Sequence, residues 1–240
     1  MATIVFTQNP ADRKVATGAS TTFTVVASAN AAITRYEWQI AQSSAPSTWV
    51  AITSADGFTG FATATLTLAS GQAQAAASPT KPSNGDLVKC FAITNDSSNL
   101  ASDPATLTVV EPSYAFTTPP TTIDEGATAT VRVTVSPTDA ILASNSLYWT
   151  IETNAGSFGT TSGSIALTGL NTGTFVIGPK KDNLADGDQT FTIGIRTGSV
   201  TGPIVLTSSA IALIDTSLSD TYAVHGGKAE FLRKRLLGYI

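Results

Sequence analysis

Arg35-Tyr36-Glu37-Trp38-Gln39-Ile40 decides the fold. Successive side chains of an extended strand point to opposite faces, so Tyr36, Trp38 and Ile40 share one side and Arg35, Glu37 and Gln39 the other. The same period of two continues outward in both directions. Upstream, Phe23, Val25 and Ala27 share a face. Downstream, Trp49-Val50-Ala51-Ile52 follows a Ser/Pro loop, and Ala64, Leu66 and Leu68 alternate with Thr63, Thr65 and Thr67. Asp86 to Thr94 forms a further strand, and Ala105, Leu107 and Val109 alternate in the last. Short strands separated by turn residues predict an antiparallel sandwich over residues 1–111.

A second set follows the connection at Glu111-Pro112-Ser113 and the extended Pro119-Pro120 pair. Val131, Val133 and Val135 alternate with Thr130, Arg132 and Thr134, and Leu147, Trp149 and Ile151 with Tyr148, Thr150 and Glu152. Gly156 to Ser164 reads as a turn-rich loop. Further strands are expected at Ile165–Leu167, Gly173–Ile177, Gln189–Arg196, Ile204–Thr207 and Ala210–Ile214. The expected architecture is all-β: two tandem antiparallel sandwiches, 1–111 and 112–216, and a distinct C-terminal tail, 217–240.

Only 12% of the residues are charged, so Thr, Ser, Asn and Gln must supply the polar surface. The net charge of −4 is unevenly placed. Lys228, Arg233, Lys234 and Arg235 oppose a single acid, Glu230, which leaves the rest of the chain at about −7. An acidic body argues against a nucleic-acid partner, because phosphate affinity comes from clustered Lys and Arg. The lone cysteine, Cys90, excludes an intrachain disulfide and a multi-cysteine metal site. No stretch reaches 18 apolar residues, and the opening Met-Ala-Thr-Ile-Val-Phe lacks the basic and apolar regions of an export signal, so neither a membrane span nor secretion is expected.

Further landmarks carry two resemblances. Trp38 lies mid-strand after Tyr-Glu; Asn84-Gly85-Asp86, Val88 and Cys90 follow; Ser102-Asp103-Pro104-Ala105-Thr106-Leu107-Thr108-Val109 closes the domain. This order resembles immunoglobulin-like domains of the bacterial and phage type. The resemblance implies that Trp38 is the core tryptophan and that Cys90 sits on the sixth strand. Val25 then stands near the position of the partner cysteine, and Val88 at that of the corner tyrosine. In the second half, Ile123-Asp124-Glu125-Gly126 opens, Asp182 to Ile193 runs late through Asp186-Gly187-Asp188-Gln189-Thr190-Phe191, and Ile211-Ala212-Leu213-Ile214-Asp215 closes. This order resembles Calx-β domains. The resemblance implies a calcium site at one end of the sandwich, with Glu125, Asp182, Asp186, Asp188 and Asp215 as ligands. Gln189 stands where an acid is common, and Lys180-Lys181 would compete with a cation. Asx-turns between strands are the competing explanation of these acids, and without the site no cofactor is expected.

On the strand through Cys90, Val88, Cys90 and Ala92 are expected to point inward, which turns Leu87, Phe91 and Ile93 outward as a contact face or as a surface covered by a loop or the second domain. The tail mixes Phe231, Leu232, Leu236, Leu237, Tyr239 and Ile240 with Arg233, Lys234 and Arg235. As a helix it would align Phe231, Leu232, Arg235, Leu236 and Tyr239. It could dock on its own second domain, insert into a neighbouring subunit, or lie on a membrane surface; the last lacks a second anchor. No Gly-x-Ser-x-Gly, His-Glu-x-x-His or P-loop motif occurs, and the only histidine, His225, is followed by two glycines, so no enzyme activity is expected. The chain resembles phage accessory structural proteins that carry immunoglobulin-like domains. This implies a capsid decoration protein on the virion surface, held through its tail by other virion proteins, the major capsid protein first among them. It would be a homo-oligomer, its sandwiches free to meet host-surface glycans. Tail, neck or fibre placement is the alternative within that class. A calcium-dependent bacterial adhesin or carbohydrate-binding module is the alternative outside it.

Overall fold

The computed structural model describes residues 1–216 except 77, 79, 80, 143, 145, 170 and 183–185. It is an all-β protein of two sandwich units. The expected attachment tail, Phe231 to Ile240 included, lies outside the described residues.

Unit 1 comprises Met1–Ser113 together with Val135–Asn145. Its strands are β1 (Ile4–Gln8), β2 (Arg13–Ala16), β3 (Thr21–Thr24), β4 (Val26–Ala29), β5 (Ile33–Ala41), β6 (Trp49–Ala51), β7 (Phe58–Thr59), β8 (Thr65–Leu68), β9 (Asp86–Thr94), β10 (Asn99–Ala101) and β11 (Ala105–Val110). One sheet runs β2-β11-β9-β5-β6 with β10 on β9; the other contains β3-β8-β7, and β1 pairs with β4. Trp38 on β5 pairs with Cys90 on β9, and both are fully buried. The strand order and this central tryptophan are those of an immunoglobulin-like sandwich. Val25, Leu66, Leu68, Val88 and Leu107 complete the core, with Tyr36, Ile40 and Ala64 packed at its margin. The indole N–H of Trp38 donates to the Thr63 carbonyl at 2.8 Å, so burying the ring leaves no orphan donor.

The buried carboxylate of Asp86 is equally well satisfied. One oxygen accepts the Ser43 amide and the other the Ser83 amide, each at 2.8 Å, and the Ser83 hydroxyl bonds both. Burial is tolerated here because three donors, one of them a hydroxyl shared between both oxygens, replace water.

The boundary expected at 111/112 is not where the chain divides. Val135–Asn145 groups with unit 1, for three reasons. The Ile141 amide donates to the Lys14 carbonyl and the Ala16 amide to the Ile141 carbonyl. Lys14 pairs with Asp139 at 2.9 Å, and Leu142 packs on the core.

Unit 2 holds Tyr114–Thr134 and the described residues from Ser146 onward. Its strands are β12 (Ser113–Phe116), β13 (Thr122–Asp124), β14 (Ala129–Ser136), β15 (Ser146–Ile151), β16 (Ser162–Ala166), β17 (Thr172–Ile177), β18 (Gln189–Phe191), β19 (Ile193–Arg196), β20 (Ile204–Thr207) and β21 (Ile211–Ile214). They form three groups: β12-β14-β17, β13-β21-β18 and β16-β15-β19-β20. Trp149 stacks on Phe175 at 5.0 Å, and Phe158 meets Phe191 edge-on at 4.8 Å. The Gly156–Ser164 loop is shorter than expected, since β16 starts at Ser162. Gly163 lies under the Trp149 ring, where a Cβ would approach the indole nitrogen to 2.7 Å.

Both units break their closing strand in the same way. In unit 1, three residues, Ser102 to Pro104, oppose two on β9, Lys89 and Cys90. In unit 2, Ser208 to Ala210 oppose Thr192 and Ile193. The buried serine at each bulge repairs the ladder. The Ser102 amide donates to the Cys90 carbonyl at 2.8 Å, and its hydroxyl accepts the Cys90 amide at 3.0 Å. Ser208 does the same for Ile193, at 2.9 Å in both directions. Each hydroxyl then donates to the next carbonyl, that of Asp103 or Ser209. Removing either hydroxyl orphans a buried amide, so Ser102→Ala and Ser208→Ala should each lower the urea-unfolding free energy by about 1–3 kcal/mol. Ser102→Thr and Ser208→Thr, which keep the oxygen, should lose less.

Candidate functional site

The carboxylates of unit 2 converge because of strand register. β13 and β21 run parallel, with Asp124 opposite Ile214, and β18 runs antiparallel to β21, with Gln189 opposite Leu213. The residues just past β13 and β21, Glu125 and Asp215, therefore meet those just before β18. One carboxylate oxygen from each of Glu125, Asp186 and Asp215 lies within 4.8 Å of the others. Glu125 and Asp215 are half-buried, and Asp186 is exposed.

The backbone holds this cluster in place. The Glu125 amide donates to the Ile214 carbonyl at 3.1 Å, and Gly126 turns the chain at φ +73. The Gly187 amide donates to Asp215 Oδ2 at 2.8 Å. Asp188 serves a neighbour rather than joining the group: its Oδ1 accepts the Asp215 amide at 3.0 Å. Asp182 is exposed and is not one of the three grouped acids. Gln189 donates its side-chain N–H to Asp186 Oδ2 at 2.9 Å, so the amide that replaces the expected acid orients a carboxylate. Lys180 is turned toward the Gly156 carbonyl at 3.2 Å, while the stem of Lys181 passes over Gly126. Donors that are all oxygen, three of them anionic, suit a hard cation such as Ca²⁺, for which Glu125, Asp186 and Asp215 would be the ligands.

Unit 1 carries the expected outer face. Leu87, Phe91 and Ile93 point away from the buried Val88, Cys90 and Ala92, and all three are partly exposed. Lys89 lies across this face, its ammonium 4.0 Å from the Trp49 ring centroid and 5.2 Å from that of Phe91. The ammonium is thus held over two aromatic rings of the face expected to be either a contact surface or covered by a loop or the second domain.

Cys90 offers no nucleophile. Burial pushes its thiol up to about 12, against a small opposing effect of the hydrogen bond with the Glu37 backbone. His225 lies outside the described residues.

No protein-family model matches the sequence, and no curated protein matches it. Among solved structures, the chain is similar to a chimeric titin Z1Z2 bearing a KLER peptide from decorin, with 17% identity, TM-score 0.46 and coverage of 90% of this chain and 97% of that one. It is also similar to Sidekick-1 immunoglobulin domains 1–5, with 16% identity, TM-score 0.44 and coverage of 90% and 39%. A third similarity is to the fibronectin(III)-like modules of Clostridium thermocellum CbhA, with 10% identity, TM-score 0.30 and coverage of 90% and 95%.

A thiol reagent should leave Cys90 untouched in the folded protein at mildly alkaline pH and label it fully in denaturant. Rapid native labelling, followed by mass spectrometry, would show that the core around Trp38 opens readily.

Proposed function

We propose that the protein is a non-enzymatic structural component of a phage virion, a capsid decoration protein that displays two β-sandwiches and is attached through residues 217–240. One observation carries this reading: each unit closes its own core and turns threonine- and serine-rich strand faces to solvent, while the apolar and basic residues of the tail form a separate stretch of sequence. Such modules act through their surfaces. The major capsid protein is the partner proposed for the tail, in a homo-oligomeric array, and host-surface glycans are the ligands proposed for the exposed sandwiches. A tail, neck or fibre position would use the same parts. Deletion of 217–240 should leave the circular dichroism and the melting transitions of both units intact while abolishing co-sedimentation with assembled particles. Retention of the truncated protein on particles would sink the proposal.

The grouping of Glu125, Asp186 and Asp215 favours a second reading, a calcium-dependent adhesin or carbohydrate-binding module. Ca²⁺ at a hundredfold excess over its Kd should stabilise the folded chain by about 2.7 kcal/mol. The rise in Tm should vanish with EDTA and in the Glu125→Gln/Asp215→Asn double variant. A wild-type Tm indifferent to Ca²⁺ removes this reading and leaves the first untouched.

A further inference from the structure

We propose that Asn84-Gly85 is a latent modification site, converted to aspartate and isoaspartate when strand β11 releases it. The chemistry belongs to the dipeptide. Glycine has no side chain to shield its amide nitrogen. Once that nitrogen loses its proton to solvent base, it can attack Asn84 Cγ. The new C–N bond closes a five-membered imide, the bond from Cγ to Nδ2 breaks, and the leaving nitrogen departs as ammonia with a proton from water. Water then adds to either imide carbonyl. Opening at one gives aspartate; opening at the other gives isoaspartate, whose main chain is one methylene longer. No redox partner is required, and Asn84 is exposed to the water that hydrolysis consumes.

In the folded chain, both reacting groups are engaged. The Gly85 amide donates to the Leu107 carbonyl at 2.9 Å, which retains the proton that must leave. Asn84 Oδ1 accepts the Val109 amide at 3.0 Å, which fixes the carbon to be attacked. Both partners lie on β11. The Asn84 amide is held separately by the Gln74 carbonyl at 3.1 Å, and Gly85 is fixed at φ +87. The reaction therefore requires local opening of β11, and its rate measures how often that strand separates. The product matters structurally. Isoaspartate would lengthen the chain two residues before buried Asp86, shifting the amides of Ser43 and Ser83 relative to its carboxylate.

The test is to incubate the full chain at mildly alkaline pH, in native buffer and in urea, and to follow Asn84 by peptide mapping with isoaspartate detection. Native conversion should be slower than unfolded conversion by on the order of a hundredfold. Asn84→Asp should abolish the amide-to-acid mass change at this peptide. Asp12 accepts the Thr106 amide at 2.7 Å and so anchors β11 one residue before Leu107, without touching the dipeptide itself. Asp12→Ala, confirmed as folded by circular dichroism, should speed native conversion. Equal rates in native buffer and urea, or no acceleration in Asp12→Ala, would overturn the proposal.

Discussion

A buried serine hydroxyl at a strand break is the interaction on which both sandwiches depend. In both units the break falls before the closing strand meets a parallel strand at its other edge. Inserting one residue re-aims the strand but leaves an amide of the partner strand without its ladder acceptor. Ser102 and Ser208 supply that acceptor from the side chain. Each hydroxyl then donates a hydrogen bond to the next carbonyl, so the bulge leaves the serine itself satisfied. Beyond the break, β11 reaches β2 and β21 reaches β13, the two parallel pairings of the protein's described strands. The repair in unit 2 thus sets the register that gathers Glu125, Asp186 and Asp215.

The strands themselves were legible because their alternation is strict. Trp38 could be put on one face with Tyr36 and Ile40, and Cys90 with Val88 and Ala92, because length makes period two unmistakable; that the two strands pair at these residues comes from the structure. The serine bulges were not legible. Ser102-Asp103-Pro104 stood only as the lead-in to the closing strand, and a serine that caps a turn looks the same in sequence as one that mends a ladder. Gln189–Arg196 read as one strand for the same reason: the register shift has no hydrophobic signature. Val135–Asn145 escaped notice because part of its attachment is backbone hydrogen bonding at Lys14, Ala16 and Ile141, which any sequence could make, and because nothing in the sequence pairs Asp139 with Lys14 or Leu142 with the first core.

The acidic group was readable only in part. The resemblance named five carboxylates, and three come together. Asp188 could not have been separated from them by composition, since its role as acceptor for the Asp215 amide follows from the turn it occupies. Likewise, Gln189 looked like a defect in the pattern, yet its amide places Asp186.

A chain with 12% charged residues can draw little stability from surface ion pairs, and the pairs present reflect this. Lys14 with Asp139 and the N-terminus with Asp96 are open to solvent. Arg196 is different. It forks onto both oxygens of Glu152, donates to Thr150 Oγ1, and reaches the Gly202 carbonyl at 2.8 Å; Thr150 in turn donates to Glu152. Gly194 makes room for this, because a Cβ there would collide with the Glu152 carboxylate. The network ties the β19–β20 turn to β15 by directional bonds in a half-buried setting, where salt screens weakly. Charge is thus used sparingly and locally in the sandwiches, as a fastening for one turn and as a cluster at one end. The cores and the strand ladders carry the rest.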